Sequence, residues 1–168
     1  MDLNTDQILS KKENNIGWMI INNPARRNAI SLSMRQQMTS VFEDFNMDPE
    51  VRVMIIRGSG GKAFISGADI SEFKNVRNNF DAEKLYSKAS EKMTDAMNAF
   101  PKPIIAMIEG YCVGGGVATA IGADIRIASE NTKYGIPAGR LGLAYGFDNL
   151  RQLVDLVGPA NAKKILFA

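Results

Sequence analysis

The chain has 168 residues, 45% of them hydrophobic, which suffices for one sizeable core but hardly for two, so we expect a single domain over residues 1–168. Its 20 basic and 18 acidic residues are scattered and leave a net charge of +2, which argues against nucleic acid or an anionic membrane as a partner. One cysteine excludes an internal disulfide, and the lack of histidine removes the usual zinc ligands and histidine-dependent triads, so we expect no metal.

The predicted elements alternate between short apolar strands and amphipathic helices. Four runs rich in isoleucine, valine and methionine predict strands of a mostly buried sheet, at residues 16–22, 51–57, 103–108 and 124–128. Apolar residues recur at helical spacing over residues 32–46, where Ser33 and Gln36 predict a capping box. Apolar spacing predicts a second amphipathic helix over about 82–100. It should end there because Pro101 forbids its continuation. This alternation predicts an α/β fold with crossover connections.

The second half of the chain predicts three further helical segments. Residues 117–122 are small and follow a glycine triplet, which indicates a tightly packed buried helix. Residues 148–168 predict two helices separated by Gly158 and Pro159, and their apolar end should need a partner or a further segment to cover it. No signal peptide and no apolar run of membrane-spanning length are found, so we expect a cytoplasmic protein.

Two glycine-rich loops could face an anion. Residues 58–63 match the dinucleotide spacing G-x-G-x-x-A, but no helix signal follows them, so we disfavour dinucleotide binding. Residues 114–116 precede a helix, whose free N–H groups and dipole could face a carbonyl or an anion. Close packing of a helix against a strand would explain the same glycines equally well.

Several segments occur in a characteristic order: NPARRNAI at 23–30, KAFISGADI at 62–70, GYCVGGG at 110–116, and YGIP and LGL within 134–143. Together they resemble the signatures of the crotonase (enoyl-CoA hydratase/isomerase) superfamily, from about residue 16 to 168. The resemblance implies an α/β fold of the crotonase-like β-β-α spiral type, a homo-oligomer (trimer or hexamer) and an acyl-CoA substrate without a permanently bound cofactor. It also implies that a C-terminal helical segment of the family is absent from this sequence.

Position by position, the resemblance places the two N–H groups of an oxyanion hole at Ala68 and Gly115, where they would hold the thioester carbonyl as it becomes an enolate. It also places six residues near coenzyme A: Arg26, Arg27, Ala29, Ser66, Asp69 and Ile70. Guanidinium groups fit phosphate oxygens well, although solvated loop arginines are the plain alternative. The Asp69 carboxylate is expected to cap local backbone N–H groups.

The sequence departs from the family at two positions. Hydratases of the family carry glutamates where this chain has Ala118 and Ala138. Because alanine cannot transfer a proton, ordinary hydration is not expected. Two interpretations stay open: an enzyme of lyase or isomerase type that uses a thioester enolate and another proton-transfer group, or a non-catalytic CoA-ester-binding or assembly protein.

Tyr145 and Asp148 are the candidates for that proton-transfer group. Tyr145 could equally pack beneath its loop with the hydroxyl bonded to a backbone carbonyl, and Asp148 could cap the helix that follows. Cys112 has no evident cationic neighbour, so we expect a buried, unreactive thiol.

Overall fold

The computed structural model describes residues 7–69, 71 and 80–167. Pairs of strands and single helices alternate four times along the chain: β1 (Ile8–Glu13), β2 (Ile16–Ile21), α1 (Leu32–Met47), β3 (Val53–Gly58), β4 (Ala63–Ile65), α2 (Phe80–Asn98), β5 (Ile104–Ile108), β6 (Tyr111–Val113), α3 (Gly115–Gly122), β7 (Ile125–Ala128), β8 (Lys133–Gly135) and α4 (Phe147–Phe167). Within these ranges, no helix combines the length and apolar character needed to cross a membrane.

The strands form two sheets. The larger has the order β1-β2-β3-β5-β7. In it, β1 is antiparallel to β2, and all the remaining neighbouring pairs are parallel. The smaller has the order β4-β6-β8 and is parallel throughout. Each of the last three strand pairs therefore adds one strand to each sheet. Because successive units lie side by side in the same direction, the chain winds as the β-β-α spiral that the resemblance implies.

One face of the larger sheet forms the core together with α1 and α2. Alternate residues of β2, β3 and β5 are buried, as the period of two in a half-buried strand requires. The buried face of α1 consists of Met34, Met38, Phe42 and Phe45. Phe42 meets Phe100 beyond the end of α2 in an edge-to-face contact with ring centroids 5.7 Å apart. The apolar spacing seen in the sequence is therefore the core-facing pattern of these elements.

The four predicted strands and the predicted helices are confirmed within a few residues. The helical segment α4 is broken at Gly158, whose φ of 74° and ψ of 162° are not helical, directly before Pro159. β7 is the exception to a mostly buried sheet, because it is an edge strand with Ile125 and Ile127 50% and 59% exposed. At the end of α4, Ile165 and Leu166 pack against the core and only Phe167 is largely exposed.

The predicted capping box of Ser33 and Gln36 is wrong. The N-cap of α1 is Ser31, whose Oγ accepts the N–H of Met34 at 3.1 Å. Ser33 lies inside the first turn, and its hydroxyl hydrogen-bonds to that of Ser31 at 2.9 Å. By sequence, either serine could be the N-cap. Ile30 forms a bridge with Ala68, which keeps the chain extended up to Ser31, so the helix begins directly after Ser31.

Four strands were missed in the sequence. β1 is an edge strand in which only Ile8 is buried, so it lacks an apolar pattern. β4, β6 and β8 are three residues long, which is too short for a period to be visible. These three short strands form the small sheet, and they lead directly into the loops that carry the site described next.

The loop after β2 is fixed by the fully buried side chain of Asn28. Its Nδ2 donates to the carbonyls of Ser59 and Ala63 at 3.0 and 2.7 Å, and its Oδ1 accepts the N–H of Asn23 at 3.0 Å. Asn28 adopts a left-handed φ of 57°, a conformation that asparagine tolerates better than most residues. This side chain ties the arginine-bearing loop to the turn between β3 and β4.

Candidate active site

A cavity of about 500 Å³ opens among α1, α2, the start of α3 and the loop before α4. This volume lies in the usual range for small-molecule sites. Its walls come from segments that are distant in sequence: residue 35, residues 66–68, 86–98, 113–122, and 136–152. The four motif segments that carry the resemblance are therefore brought to one place or to its immediate surroundings.

Two glycines bring the predicted oxyanion-hole residues to this cavity. The backbones of Gly67 and Gly114 lie close together, since a Cβ built on Gly114 would lie 3.9 Å from the Cα of Gly67. Both glycines have positive φ angles, 116° and 55°, which favour a residue without a side chain. The next residue in each segment, Ala68 and Gly115, lines the cavity.

Among the described residues, no backbone carbonyl accepts the N–H groups of Ala68 and Gly115. Ile30 donates to the Gly67 carbonyl and accepts from the Asp69 N–H, both at 2.9 Å, in a parallel bridge centred on Ala68. Within such a bridge the central residue directs its own N–H away from the partner strand. Gly115 is the first residue of α3, where N–H groups have no acceptor within the helix. In the described part of the chain, neither N–H has a backbone acceptor.

The three glycines of the triplet serve different purposes. Gly114 supplies the positive φ, as described. A Cβ on Gly116 would lie 2.2 Å from the carbonyl oxygen of Ile65, so this glycine allows α3 to pack closely against β4. A Cβ on Gly115 would meet no atom within 4 Å. Close packing, the plain explanation considered for the triplet, thus applies to Gly116, whereas Gly115 faces open space.

Ala118 and Ala138 both line the cavity. Ala118 lies on α3, one turn after Gly115, and Ala138 directly follows Pro137. Among the residues that the structure describes, the cavity wall contains no aspartate and no glutamate. The two alanines therefore stand where a carboxylate would reach a bound ligand, and no described neighbour supplies one in their place.

Tyr145 also lines the cavity, and its hydroxyl oxygen is buried. No hydrogen-bond partner for this hydroxyl is found in the described residues, so the backbone carbonyl that could have satisfied it is not there. Burial, with a smaller contribution from Cys112, raises the pKa of Tyr145 to about 12. The phenol is therefore protonated at neutral pH and can act as a hydrogen-bond or proton donor. Buried polar atoms without partners are rare, and such an atom often meets a ligand.

The other two candidate groups are less suited to chemistry in this cavity. Asp148 is exposed in the first turn of α4 and is absent from the cavity wall. Because α4 begins at Phe147, Asp148 also does not precede the helix as the predicted cap would. Cys112 is fully buried, and burial raises the pKa of its thiol to about 12, which disfavours the reactive thiolate.

An ion pair joins two of the residues expected near coenzyme A. The Nη1 of Arg26 lies 2.7 and 3.0 Å from the two carboxylate oxygens of Asp69, and it also contacts the Ser71 hydroxyl. Oδ1 of Asp69 accepts the Ser71 N–H at 3.0 Å, which is the local backbone cap expected of this aspartate. Burial acts to raise the pKa of Asp69, but the hydrogen bonds from Ser71 and Arg26 outweigh it and keep the pKa below its ordinary value.

The remaining residues of that set lie around the same loop. Arg27 stacks over the ring of Tyr111, with its Cζ 5.3 Å from the ring centroid. Ser66 lines the cavity, and its hydroxyl donates to the Arg26 carbonyl at 3.3 Å. Ala29 is half-buried and donates its N–H to the same carbonyl at 3.1 Å. Ile70 lies outside the described residues.

One wall of the cavity is polar and was not predicted from the sequence. It comprises Arg35, Tyr86, Ser90, Thr94, Asn98, Asn149 and Gln152. Nη2 of Arg35 donates to the Tyr86 hydroxyl at 2.9 Å, and the guanidinium carbon lies 4.9 Å from the ring centroid. The sequence did contain a signal for the position of Arg35, because Arg35 precedes Met38 by three residues and Phe42 by seven. It therefore lies at the edge of the buried face of α1.

Comparisons with known proteins agree with this architecture. The family model described as Enoyl-CoA hydratase/isomerase matches residues 11–168. The short-chain-enoyl-CoA hydratase of Clostridium acetobutylicum is 35% identical over 167 residues, which are 99% of this chain and 62% of that protein. The crotonyl-CoA hydratase of Syntrophomonas wolfei is 35% identical over 162 residues, or 96% of this chain and 62% of that protein.

A crystal structure of an enoyl-CoA hydratase/carnithine racemase from Magnetospirillum magneticum superposes with a TM-score of 0.89 at 38% identity, and covers 95% of this chain and 60% of that one. The fold is therefore the crotonase-like α/β fold, as expected. The chain belongs to the enoyl-CoA hydratase/isomerase family. It spans 62% of the length of the two curated relatives described above.

Proposed function

We propose that this chain binds an acyl-CoA thioester with the carbonyl oxygen between the N–H groups of Ala68 and Gly115, and that these donors stabilise the thioester enolate. The observation that carries this proposal is the close approach of Gly67 and Gly114, which line one cavity together with Ala68 and Gly115. Backbone donors suit the task because they are held in place while negative charge develops on the oxygen. The N-terminal dipole of α3 favours the same charge.

The substrate class is supported by the relatives. Two of them are named for the short-chain enoyl-CoA and crotonyl-CoA that they hydrate. In the proposed complex, the phosphates of coenzyme A lie near Arg26 and Arg27, and Ala29, Ser66, Asp69 and Ile70 lie along its path. Arg26 then binds a phosphate either in place of Asp69 or together with Asp69, to which it is paired in this structure. On the same resemblance, the whole protein is proposed to be a cytoplasmic homo-oligomer, a trimer or hexamer, without a permanent cofactor.

Proton transfer is proposed to differ from that of the family's hydratases. Ala118 and Ala138 take the positions of the two glutamates, so the enolate must receive its proton from another group. Tyr145 is the candidate because its neutral, buried hydroxyl lines the cavity and has no partner in the described part of the chain. In this reaction the phenol gives its proton to the α-carbon of the enolate and becomes a phenolate. In the reverse step the phenolate takes an α-proton from the bound thioester to form the enolate, and exchange of the phenol O–H with solvent carries deuterium into the acyl group.

A crystal structure with a bound acyl-CoA tests the proposal directly. We expect the thioester oxygen within about 2.7–3.1 Å of both the Ala68 and the Gly115 nitrogens. A complex in which the oxygen lies elsewhere, or in which coenzyme A avoids the loop of Arg26 and Arg27, would contradict it.

A second candidate function is binding of CoA esters without catalysis. The observation in its favour is the lack of a carboxylate among the described residues of the cavity wall. Exchange of the α-protons of a saturated acyl-CoA with deuterated water separates the two candidates, because exchange requires an enolate but no particular overall reaction. Tight binding without exchange would favour the non-catalytic function.

Replacing Tyr145 by phenylalanine should slow this exchange by about a hundred- to ten-thousandfold, the usual contribution of a general acid or base. The ring and its packing are retained, so acyl-CoA affinity should change little. Exchange is measured by mass spectrometry or NMR over a series of enzyme concentrations. Tyr134→Phe is the matched control, because Tyr134 is absent from the cavity wall.

Equal exchange rates in Tyr145→Phe and the parent protein would show that the Tyr145 hydroxyl is structural. Asp148→Asn is then the next variant to measure, although the exposure of Asp148 predicts no effect.

A further inference from the structure

We propose that Arg35 binds a carboxylate on the acyl group, so that the substrates of this protein are CoA esters of dicarboxylic acids. The inference rests on the proposed thioester site and concerns the far end of the acyl chain, which that site does not touch. Arg35 would then determine which acyl groups bind, and the proposed chemistry would be unchanged.

Arg35 is the one cationic residue of the cavity wall in the part of the chain that the structure describes. It projects from the first turns of α1, where Ser31 and the buried Met34 hold the backbone. The Tyr86 hydroxyl accepts one of its N–H groups at 2.9 Å, and the Tyr86 ring lies 4.9 Å from the guanidinium carbon. The aromatic ring and hydroxyl therefore set the orientation of the guanidinium group within the wall.

The charge of Arg35 is not neutralised by the described residues. The ion pairs found among them join Lys11 to Glu13, Lys12 to Asp44 and Asp48, and Arg26 to Asp69. In addition, the Nε of Arg35 is buried and has no hydrogen-bond acceptor there. A buried, charged donor without an acceptor is costly, so an anionic acceptor supplied by a ligand would gain both a hydrogen bond and charge compensation.

The chemistry of guanidinium favours a carboxylate as that acceptor. Its N–H groups form a rigid planar fork that matches the two oxygens of a carboxylate, and the group stays protonated at every physiological pH. An alkyl chain in the same place would shield Arg35 from water and offer no acceptor in return. The cavity is therefore better suited to an acyl chain that ends in a carboxylate than to an unbranched fatty acyl chain.

The neighbouring polar residues do not offer a competing explanation. The Ser90 hydroxyl donates to the Tyr86 carbonyl at 2.9 Å, and the Thr94 hydroxyl donates to the Ser90 carbonyl at 3.0 Å. These hydroxyl donors are satisfied within α2, whereas the buried Nε of Arg35 is not. Discrimination between acyl groups should consequently depend on Arg35 more than on Ser90 or Thr94.

The test compares CoA esters that have the same shape and differ in charge. Glutaryl-CoA is paired with 5-methylhexanoyl-CoA, in which an isopropyl group replaces the carboxylate, and succinyl-CoA and adipoyl-CoA are paired in the same way to cover chain length. Dissociation constants are measured by isothermal titration calorimetry. We expect the parent protein to bind one of the charged esters about 10- to 100-fold more tightly than its partner, which is the usual worth of a charge-assisted hydrogen bond.

Arg35→Met should remove this preference, and Arg35→Lys, which keeps the charge but not the fork, should retain part of it. Arg52→Met is the control, because it removes the same charge from an exposed site outside the cavity. Thermal unfolding shows whether each variant is folded. If Arg35→Met does not fold, Arg35→Lys still tests the inference.

The results separate this inference from the proposed function. If both members of every pair bind equally, or if the Arg35 variants leave the preference unchanged, carboxylate recognition by Arg35 is wrong while thioester binding stands. If no ester binds more tightly than coenzyme A alone, the proposed thioester site is wrong as well.

Discussion

Introducing glutamates at positions 118 and 138 together should create enoyl-CoA hydratase activity that exceeds the parent activity by about a hundred- to ten-thousandfold, the range expected of general acid-base catalysis. Both alanines line the same cavity as Gly115 and Ala68. Ala118→Glu places a carboxyl group one turn along α3 from Gly115, and Ala138→Glu places the second after Pro137. One carboxylate can then activate water while the other delivers the proton.

The activity is measured as loss of the conjugated enoyl-thioester absorbance of crotonyl-CoA. Ala118→Gln combined with Ala138→Gln is the control, since glutamine has the size of glutamate but cannot transfer a proton. Each single glutamate variant should gain much less than the pair. A double glutamate variant that is folded, binds crotonyl-CoA and still does not hydrate it would show that these two positions do not correspond to the glutamates of hydratases.

Replacing Gly116 by alanine should destabilise the protein by about 3 kcal/mol, the upper part of the range for overpacking a core. The new Cβ would lie 2.2 Å from the carbonyl oxygen of Ile65 and 3.0 Å from its Cβ. Ile65 belongs to β4, which pairs with β6, so its backbone cannot move aside without disturbing the small sheet. At this chain length the expected fall in melting temperature is about 6–12 °C.

Gly115→Ala is the matched control for this prediction, because a Cβ at Gly115 meets no atom within 4 Å. Its free energy of unfolding should stay within about 0.5 kcal/mol of the parent value, as for substitutions without a new contact. Denaturant and thermal unfolding of the two variants give the comparison. Equal stability of both would show that α3 does not approach β4 as closely as the structure indicates.

Much of the fold could be predicted from local patterns. The spacing of Met34, Met38 and Phe42 predicts both the existence of α1 and its buried face, and Gly158 with Pro159 predicts the break in α4. These patterns are visible because a helix or strand repeats its burial over several turns or residues. The short strands of the small sheet have no such repeat and were missed.

The candidate site depended on a different kind of information. Ordered motifs identified the segments around Ala68 and Gly115, and with them the family and fold that the comparisons show. The roles of these two residues remain predictions. What the motifs could not indicate was the surroundings of the site: the exposure of Asp148 on α4, and the buried Tyr145 hydroxyl without a partner in the described residues. Both depend on residues outside the segment in which Asp148 and Tyr145 lie.

The sequence by itself therefore determined the helices and the longer strands, the buried faces of most of them and the segments proposed to carry the chemistry, because each is encoded in residues close together along the chain. Only the tertiary structure decided what lies across the cavity from those segments. The close approach of Gly67 to Gly114 and the placement of Arg35 against Tyr86 both join segments separated by more than forty residues. Such contacts result from how the sheets and helices pack together, and a local pattern of residues does not encode that packing.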